Sequence, residues 1–274
     1  MKKSILPLAL ICMAQSVLFM ACKKETAAPV PTVVKEWTIA LSPKNENPAR
    51  TGRMETGTAN LSLFSDNSLK YVITVSGLAA GDALVAAHIH AGNVITNGSV
   101  VLGLDPVFSG AAATGSITNL RGTFVDSLKS DDNELYFNLH STQQPGGLLR
   151  GQLNENIVVA EDVVLLGTNE VVPVTTSATG VAILRLTDRK KLYSRVTVST
   201  LDAGDAMMAA HIHTGAAGTN GSVIVPLCAT AADFGEVKIF VLPDAIYNAV
   251  KMDAVYVNAH SSIKPGGLVR GQIR

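Results

Sequence analysis

The chain repeats itself, and that limits what it can fold into more than any other feature. "GLAAGDALVAAHIHAG" at 77–92 lines up with "TLDAGDAMMAAHIHTG" at 200–215, an offset of 123 residues, and the same offset superposes the two "TNGSV" segments at 96–100 and 219–223. "LYFNLHSTQQPGGLLRGQL" at 135–153 lines up with "VYVNAHSSIKPGGLVRGQI" at 255–273, now at an offset of 120. The three missing residues fall between the two blocks, in the loop-like "GLDPVFSGAAATGS" stretch. Two units follow, 36–153 and 156–274, joined by "NEN" at 154–156, and each carries HxH, TNG, NxHS and PGGLxRGQ in the same order. Two long, complex copies make a tandem domain pair, since solenoid repeats are shorter and more numerous. A length of 274 residues suits two domains of ordinary size.

Within each unit the pattern is β. "EWTIAL", "TGTANLSLF", "LKYVITVSG", "LVAAHIHAG", "GSVVLGL", "ELYFNLHS" and "LLRGQL" alternate or run apolar between clusters of Gly, Pro, Asn and Asp. About seven short strands at this spacing predict an antiparallel sandwich or barrel. "VDSLKSD" and "LPDAIYNAVKMD" read as a helical turn before the NxHS strand in each unit, with Pro243 suited to a first helical turn.

The start of the chain reads as targeting rather than fold. Lys2 and Lys3 precede the apolar run "ILPLALICMAQSVLFM", which is short for a membrane-spanning helix and ends at "LFMAC". This resembles a bacterial lipoprotein signal over 1–21, with cleavage before Cys22 and lipid carried on that thiol, although Phe19 stands where such signals usually hold Leu. An ordinary signal peptide cleaved nearby is the alternative. Residues 22–35, "CKKETAAPVPTVVK", then form a charged, Ala/Pro-rich tether. The expectation is a cell-envelope protein anchored in the membrane through Cys22, at the outer membrane because Lys23 rather than Asp follows the Cys. Cys12 leaves with the signal, so Cys228 is the only other thiol and no internal disulfide is available.

The blocks "HIHAG", "NGSVV", "YFNLHSTQQPGGLLRGQL" and their second copies resemble the CHRD domain, a family named for chordin and found alone or in tandem in many bacterial secreted proteins. The resemblance covers nearly all of the chain beyond residue 35. It implies an all-β fold of two tandem antiparallel β-sandwich domains, Greek-key, superoxide-dismutase-like or immunoglobulin-like. It implies no particular activity, because the growth-factor binding of chordin belongs mainly to other, cysteine-rich modules.

Four of the six histidines stand in the two His-Ile-His steps. Alternate residues of a strand share a face, so His88 and His90 point one way and Ala87 and Ile89 the other. Asn138 and His140 likewise share a face, and the second unit repeats the arrangement with His211, His213, Asn258 and His260. If the HxH and NxHS strands are neighbours, three imidazoles per unit converge, a donor set suited to zinc or copper. Copper-zinc superoxide dismutase also has an HxH and a later His on a β-sandwich, but it needs more histidines than the three in each unit, and likeness of fold does not carry activity. The competing reading is a polar network that fixes strand register, the histidines bonded to Asn, Ser or backbone, with Asn138 and Ser141, or Asn258 and Ser261, beside the third His.

Gly146 and Gly147, like Gly266 and Gly267, read as a tight turn needing positive φ. Arg150 and Arg270 follow; an acidic partner such as Asp82 or Asp205, or a cluster of backbone carbonyls, would satisfy them. Zero net charge with no basic block excludes a nucleic-acid footprint. No nucleophile elbow, zinc-protease helix or phosphate-cradling loop is present, and the His and Ser of "LHS" point to opposite strand faces. The expectation is a non-catalytic binding or structural module of the envelope whose partner is an extracellular protein or glycan. The alternative is a copper or zinc protein with one three-histidine site per unit, redox activity included.

Overall fold

The computed structural model describes residues 29–274, and from Thr32 onward the chain is one compact unit holding both repeats. The signal-like segment, Cys22 and the first part of the tether lie outside the described residues.

The first repeat builds two four-stranded antiparallel sheets. One has the order β1-β2-β3-β6, from Val33–Leu41, Thr56–Phe64, Leu69–Ser76 and Ala112–Ile117. The other has the order β5-β4-β7-β8, from Val100–Gly103, Leu84–Ala91, Leu135–Ser141 and Leu149–Gln152. A short helix, α1 (Gly122–Lys129), leads from β6 into β7, where the helical turn was expected. Strict alternation builds the core: Trp37, Ile39, Leu41, Leu61, Leu63, Tyr71 and Ile73 meet Ala87, Ile89, Phe137 and Leu139 of the opposing sheet. Strand β6 lies in the stretch expected to be loop. Its Ala, Gly and Thr residues give no apolar alternation, and it is a strand because the edge of β3 offers it a partner from Leu69 to Thr74.

The second repeat follows the same course through β9 (Ile157–Leu166), β10 (Thr179–Thr187), β11 (Lys191–Ser199), β12 (Met207–Thr214), β13 (Val223–Cys228), β14 (Lys238–Val241), α2 (Asp244–Met252), β15 (Val255–Ser261) and β16 (Val269–Gln272). Its strands run as one sheet in the order β13-β12-β15-β16-β9-β10-β11-β14. The first repeat has the same order with a narrower seam, where Ser42 and Arg150 exchange backbone hydrogen bonds of 3.1 and 3.2 Å. The Gly of "RGQ" makes both seams possible. A Cβ on Gly151 would collide with the Ala40 carbonyl oxygen, and one on Gly271 with that of Val164. Each domain is therefore a nearly closed antiparallel barrel-like sandwich. Cys228 is buried in the second core, and burial pushes its thiol up to about 11.

The two domains meet head to tail. The outer face of β9-β10-β11 covers the loops of the first domain that follow β1 and β4. Arg185, fully buried, donates to the Glu46 carbonyl at 2.8 Å and pairs with Asp162 at 2.8 Å. Asp162 also accepts from the Ala49 amide at 2.9 Å. Val94 and Ile95, both sealed from solvent, pack with Ile183 and Tyr193.

Candidate functional site

Antiparallel pairing of β4 with β7 sets Ala86 opposite His140, His88 opposite Asn138 and His90 opposite Tyr136. The inward residues Ala87, Ile89, Phe137 and Leu139 belong to the core, so the histidines are left on the outer face, half-buried. Pairing of β12 with β15 places His211, His213 and His260 identically. In each domain one nitrogen from each of the three rings lies within 4.8 Å of the other two. The structure thus brings all six predicted histidines into two clusters of three.

The hydrogen bonds around the rings fix their tautomers. Nδ1 of His90 lies 3.0 Å from the Gly98 carbonyl oxygen, and Nδ1 of His140 lies 3.0 Å from that of Pro145. A carbonyl only accepts, so each Nδ1 carries the proton and each Nε2 presents a lone pair. The second domain repeats this with His213 to Gly221 and His260 to Pro265, both at 3.0 Å. Nε2 of His213, Nε2 of His260 and Nδ1 of His211 are then buried with no partner. In the first domain Nε2 of His90 is equally alone, while Nδ1 of His88 donates to Nε2 of His140 at 3.0 Å. Burial lowers the imidazole pKa of His90, His140, His211 and His260, which favours the neutral, ligating form.

Behind the rings stands a second layer, also duplicated. His90 stacks on Tyr136 with ring centroids 4.8 Å apart, and the Arg150 guanidinium lies 3.5 Å from the other face of that ring. His213, Tyr256 and Arg270 repeat the stack at 5.0 and 3.3 Å. The two arginines bind backbone carbonyls and an Asn side chain: Arg150 reaches Thr96 and Asn97, and Arg270 reaches Ala216, Thr219 and Asn220. The acidic partners considered for them are engaged elsewhere. Asp82 pairs with Arg53, and Asp205 accepts from Ser261 and Ser262.

Asn138 and Asn258 do not bond the third histidine, and neither do Ser141 and Ser261. Asn138 donates to the Glu46 carboxylate, Asn258 to that of Glu170, and the serines bond Asp82 and Asp205. The network reading loses its Asn and Ser partners, which satisfy acids instead, and keeps the backbone carbonyls of Gly98, Pro145, Gly221 and Pro265. Glu46 and Glu170 escaped the sequence reading. They share the dipeptide "NE" at 45–46 and 169–170, an offset of 124 that falls out of step with the larger blocks. Burial pushes the Glu46 carboxyl up to about 7 and that of Glu170 up to about 6, against the pull of Arg150 and Arg270 respectively. Both carboxylates lie against the Pro-Gly-Gly turn. Gly147 (φ +116) and Gly267 (φ +142) need the left-handed region, and a Cβ on either would strike the Glu and the Asn. Gly146 and Gly266 have no such requirement; a Cβ on Gly266 would meet open space.

Fold and site together define a tandem β-sandwich protein with a repeated histidine face. The family model of the CHRD domain matches residues 37–153 and again 162–273, and the chain belongs to the CHRD domain family. Neither a curated protein nor a solved structure matches the chain.

Proposed function

We propose that this chain is an exported, lipid-anchored protein of the cell envelope, held at the outer membrane through Cys22, and that each of its CHRD domains binds one copper or zinc ion without catalysing a reaction. The observation that carries the metal reading is the paired tautomer lock. In each domain two imidazoles spend Nδ1–H on a backbone carbonyl, which leaves Nε2 proton-free beside the third ring; of these four nitrogens only that of His140 has a partner, His88. Metal-binding histidines characteristically hold their second nitrogen on such an acceptor, which fixes ring orientation. A buried, unpartnered nitrogen is costly in a purely structural cluster, and a metal relieves that cost. Three imidazoles leave a fourth position open on zinc or copper. The envelope assignment is supported by the Lys2–Lys3 start, the apolar run and "LFMAC".

Elemental analysis of residues 26–274, purified without an affinity tag or chelator, tests the metal reading. The expected result is two equivalents of zinc or copper per chain, and one in a folded His211→Ala/His213→Ala variant. No bound metal, with no thermal shift on adding either ion, would return the histidines to framework and leave a protein or glycan partner to be found. Labelling of the intact protein with a radioactive fatty acid, abolished by Cys22→Ser, tests the anchor.

A further inference from the structure

The two clusters share their ligands but not their walls. His90 and His213 each depend on a carbonyl, Gly98 or Gly221, in the loop after the HxH strand. In the first domain this loop is pinned from three sides. Arg150 holds Asn97 and Thr96 at 3.0 Å each. Asn97 donates to the Asn47 carbonyl at 2.7 Å, and the Asn47 side chain donates back to Ile95. Val94 and Ile95 are sealed against Ile183 and Tyr193 of the second domain. Asn47 is itself clamped, since Arg185 binds the carbonyl of Glu46 before it and Asp162 the amide of Ala49 after it. Of these three ties only the arginine has a counterpart in the second domain, where Arg270 holds Asn220 at 3.4 Å; the Tyr256 hydroxyl accepts from the Gly221 amide as Tyr136 does from Gly98. Val171 stands in place of Asn47, Ala217 and Gly218 in place of Val94 and Ile95, and residues 216–220 are all exposed.

We infer that the second domain completes the histidine site of the first. Arg185, Ile183 and Tyr193 are positioning residues acting across the domain boundary, and the first site holds its ion more tightly and releases it more slowly than the second. The inference rests on the metal reading above. Its physical basis is preorganisation: a loop already fixed by the neighbouring domain has no ordering cost to meet when its histidine ligates, whereas the 216–220 loop must be ordered by the ion. The chain then carries one retentive and one exchangeable site on identical ligands.

The test uses the full chain in two backgrounds, His211→Ala/His213→Ala to isolate the first site and His88→Ala/His90→Ala to isolate the second. Zinc transfer to a chromophoric chelator gives the release rate, and the Cu2+ electron paramagnetic resonance spectrum reports ligand geometry. The first site is expected to release zinc at least about tenfold more slowly than the second. Arg185→Met with Ile183→Ala should raise release from the first site about tenfold and shift its Cu2+ spectrum, yet leave the second site within about twofold. Arg185→Lys, which keeps a cation for the Glu46 carbonyl, should restore part of the slow release. If the Arg185 variant does not fold, Val94→Ala with Asn47→Ala loosens the same loop from the first domain's side, removing the packing on Ile183 and Tyr193 and the bond to Ile95, and should accelerate release likewise. Equal release rates in the two backgrounds, or a first-site rate unmoved by variants on both sides of the boundary, would overturn the inference. A parent chain that takes up neither ion overturns the metal reading itself, and this one with it; measuring the parent first separates the two failures.

Discussion

The first domain presents Val94 and Ile95 to its neighbour and buries both, while the second domain has Ala217 and Gly218 at the same places and leaves them in solvent. The receiving surfaces differ in the opposite sense. Ile183, Arg185 and Tyr193 form the docking face of the second domain, and the same register positions of the first hold Asn60, Ser62 and Lys70. One copy therefore carries the plug and the other the socket, and the unused plug and socket are small or polar. Such divergence turns two like domains into a pair that docks once and stops, because a head-to-tail contact repeated on every copy would propagate into a filament. The histidines, their carbonyl partners and the arginine–tyrosine stack are untouched by the divergence. Divergence at the interface has thus left the residues of the site itself unchanged while altering what stands behind them.

The comparison is broken most severely at Arg185. Arg185→Ala strands the Asp162 carboxylate and the Glu46 carbonyl, and a loss of about 3–5 kcal/mol is expected in urea denaturation. Ser62→Ala, the same position in the first domain, should stay within about 0.5 kcal/mol because it removes only a hydrogen bond to exposed Glu36.

The next largest effect sharpens the comparison through pH. The Glu46 carboxyl is raised in the fold to about 7, so between the ordinary carboxylate range and pH 7 the native state holds a proton that the unfolded chain has released. Stability from this group is present at low pH and lost as pH rises through about 7. Glu46→Gln should therefore stabilise the protein by up to about 3 kcal/mol at pH 8, with the gain gone near pH 4.5. Glu170→Gln should act in the same direction, more weakly, with its gain fading through about pH 6, because no second domain covers that loop. Thermal melts at several pH values distinguish the two.

Gly151→Ala and Gly271→Ala probe what the domains share. Each adds a methyl group where a backbone carbonyl already sits, and both should cost about 2 kcal/mol, equally in the two domains. Unequal losses would show that the seams between first and last strands differ in tightness. The smallest effect belongs to the idle plug: Ala217→Val should change stability by less than about 0.5 kcal/mol, since the Ala217 side chain lies in solvent.

Much of this was legible in the sequence where copies agree. The recurring HxH and NxHS fixed two strand faces, and strand alternation fixed which residues point inward, so three histidines per domain could be assigned to one surface without coordinates. Pairing of β4 with β7 could not be read, because antiparallel register is set by long-range contacts rather than by local pattern. Glu46 and Glu170 were missed because their shared dipeptide drifts by one residue from the main offset. The interface was missed for a different reason: its signal lies in positions where the copies disagree. Apolar Val94-Ile95 against Ala217-Gly218, and a lone Arg185 within the apolar run "VAILRLT", mark surfaces that only one copy needs to bury. Strand β6 was lost because Gly, Ala and Ser carry no periodicity.

The seam that closes each barrel has a further consequence for how such a module spreads. Since the first and last strands lie side by side, the chain enters and leaves a domain at one corner. Four residues between Gln152 and Ile157 are enough to begin another copy. A gene segment encoding this module can be doubled in place, or cut in the loop between β5 and β6 and rejoined at that corner, without rerouting the polypeptide.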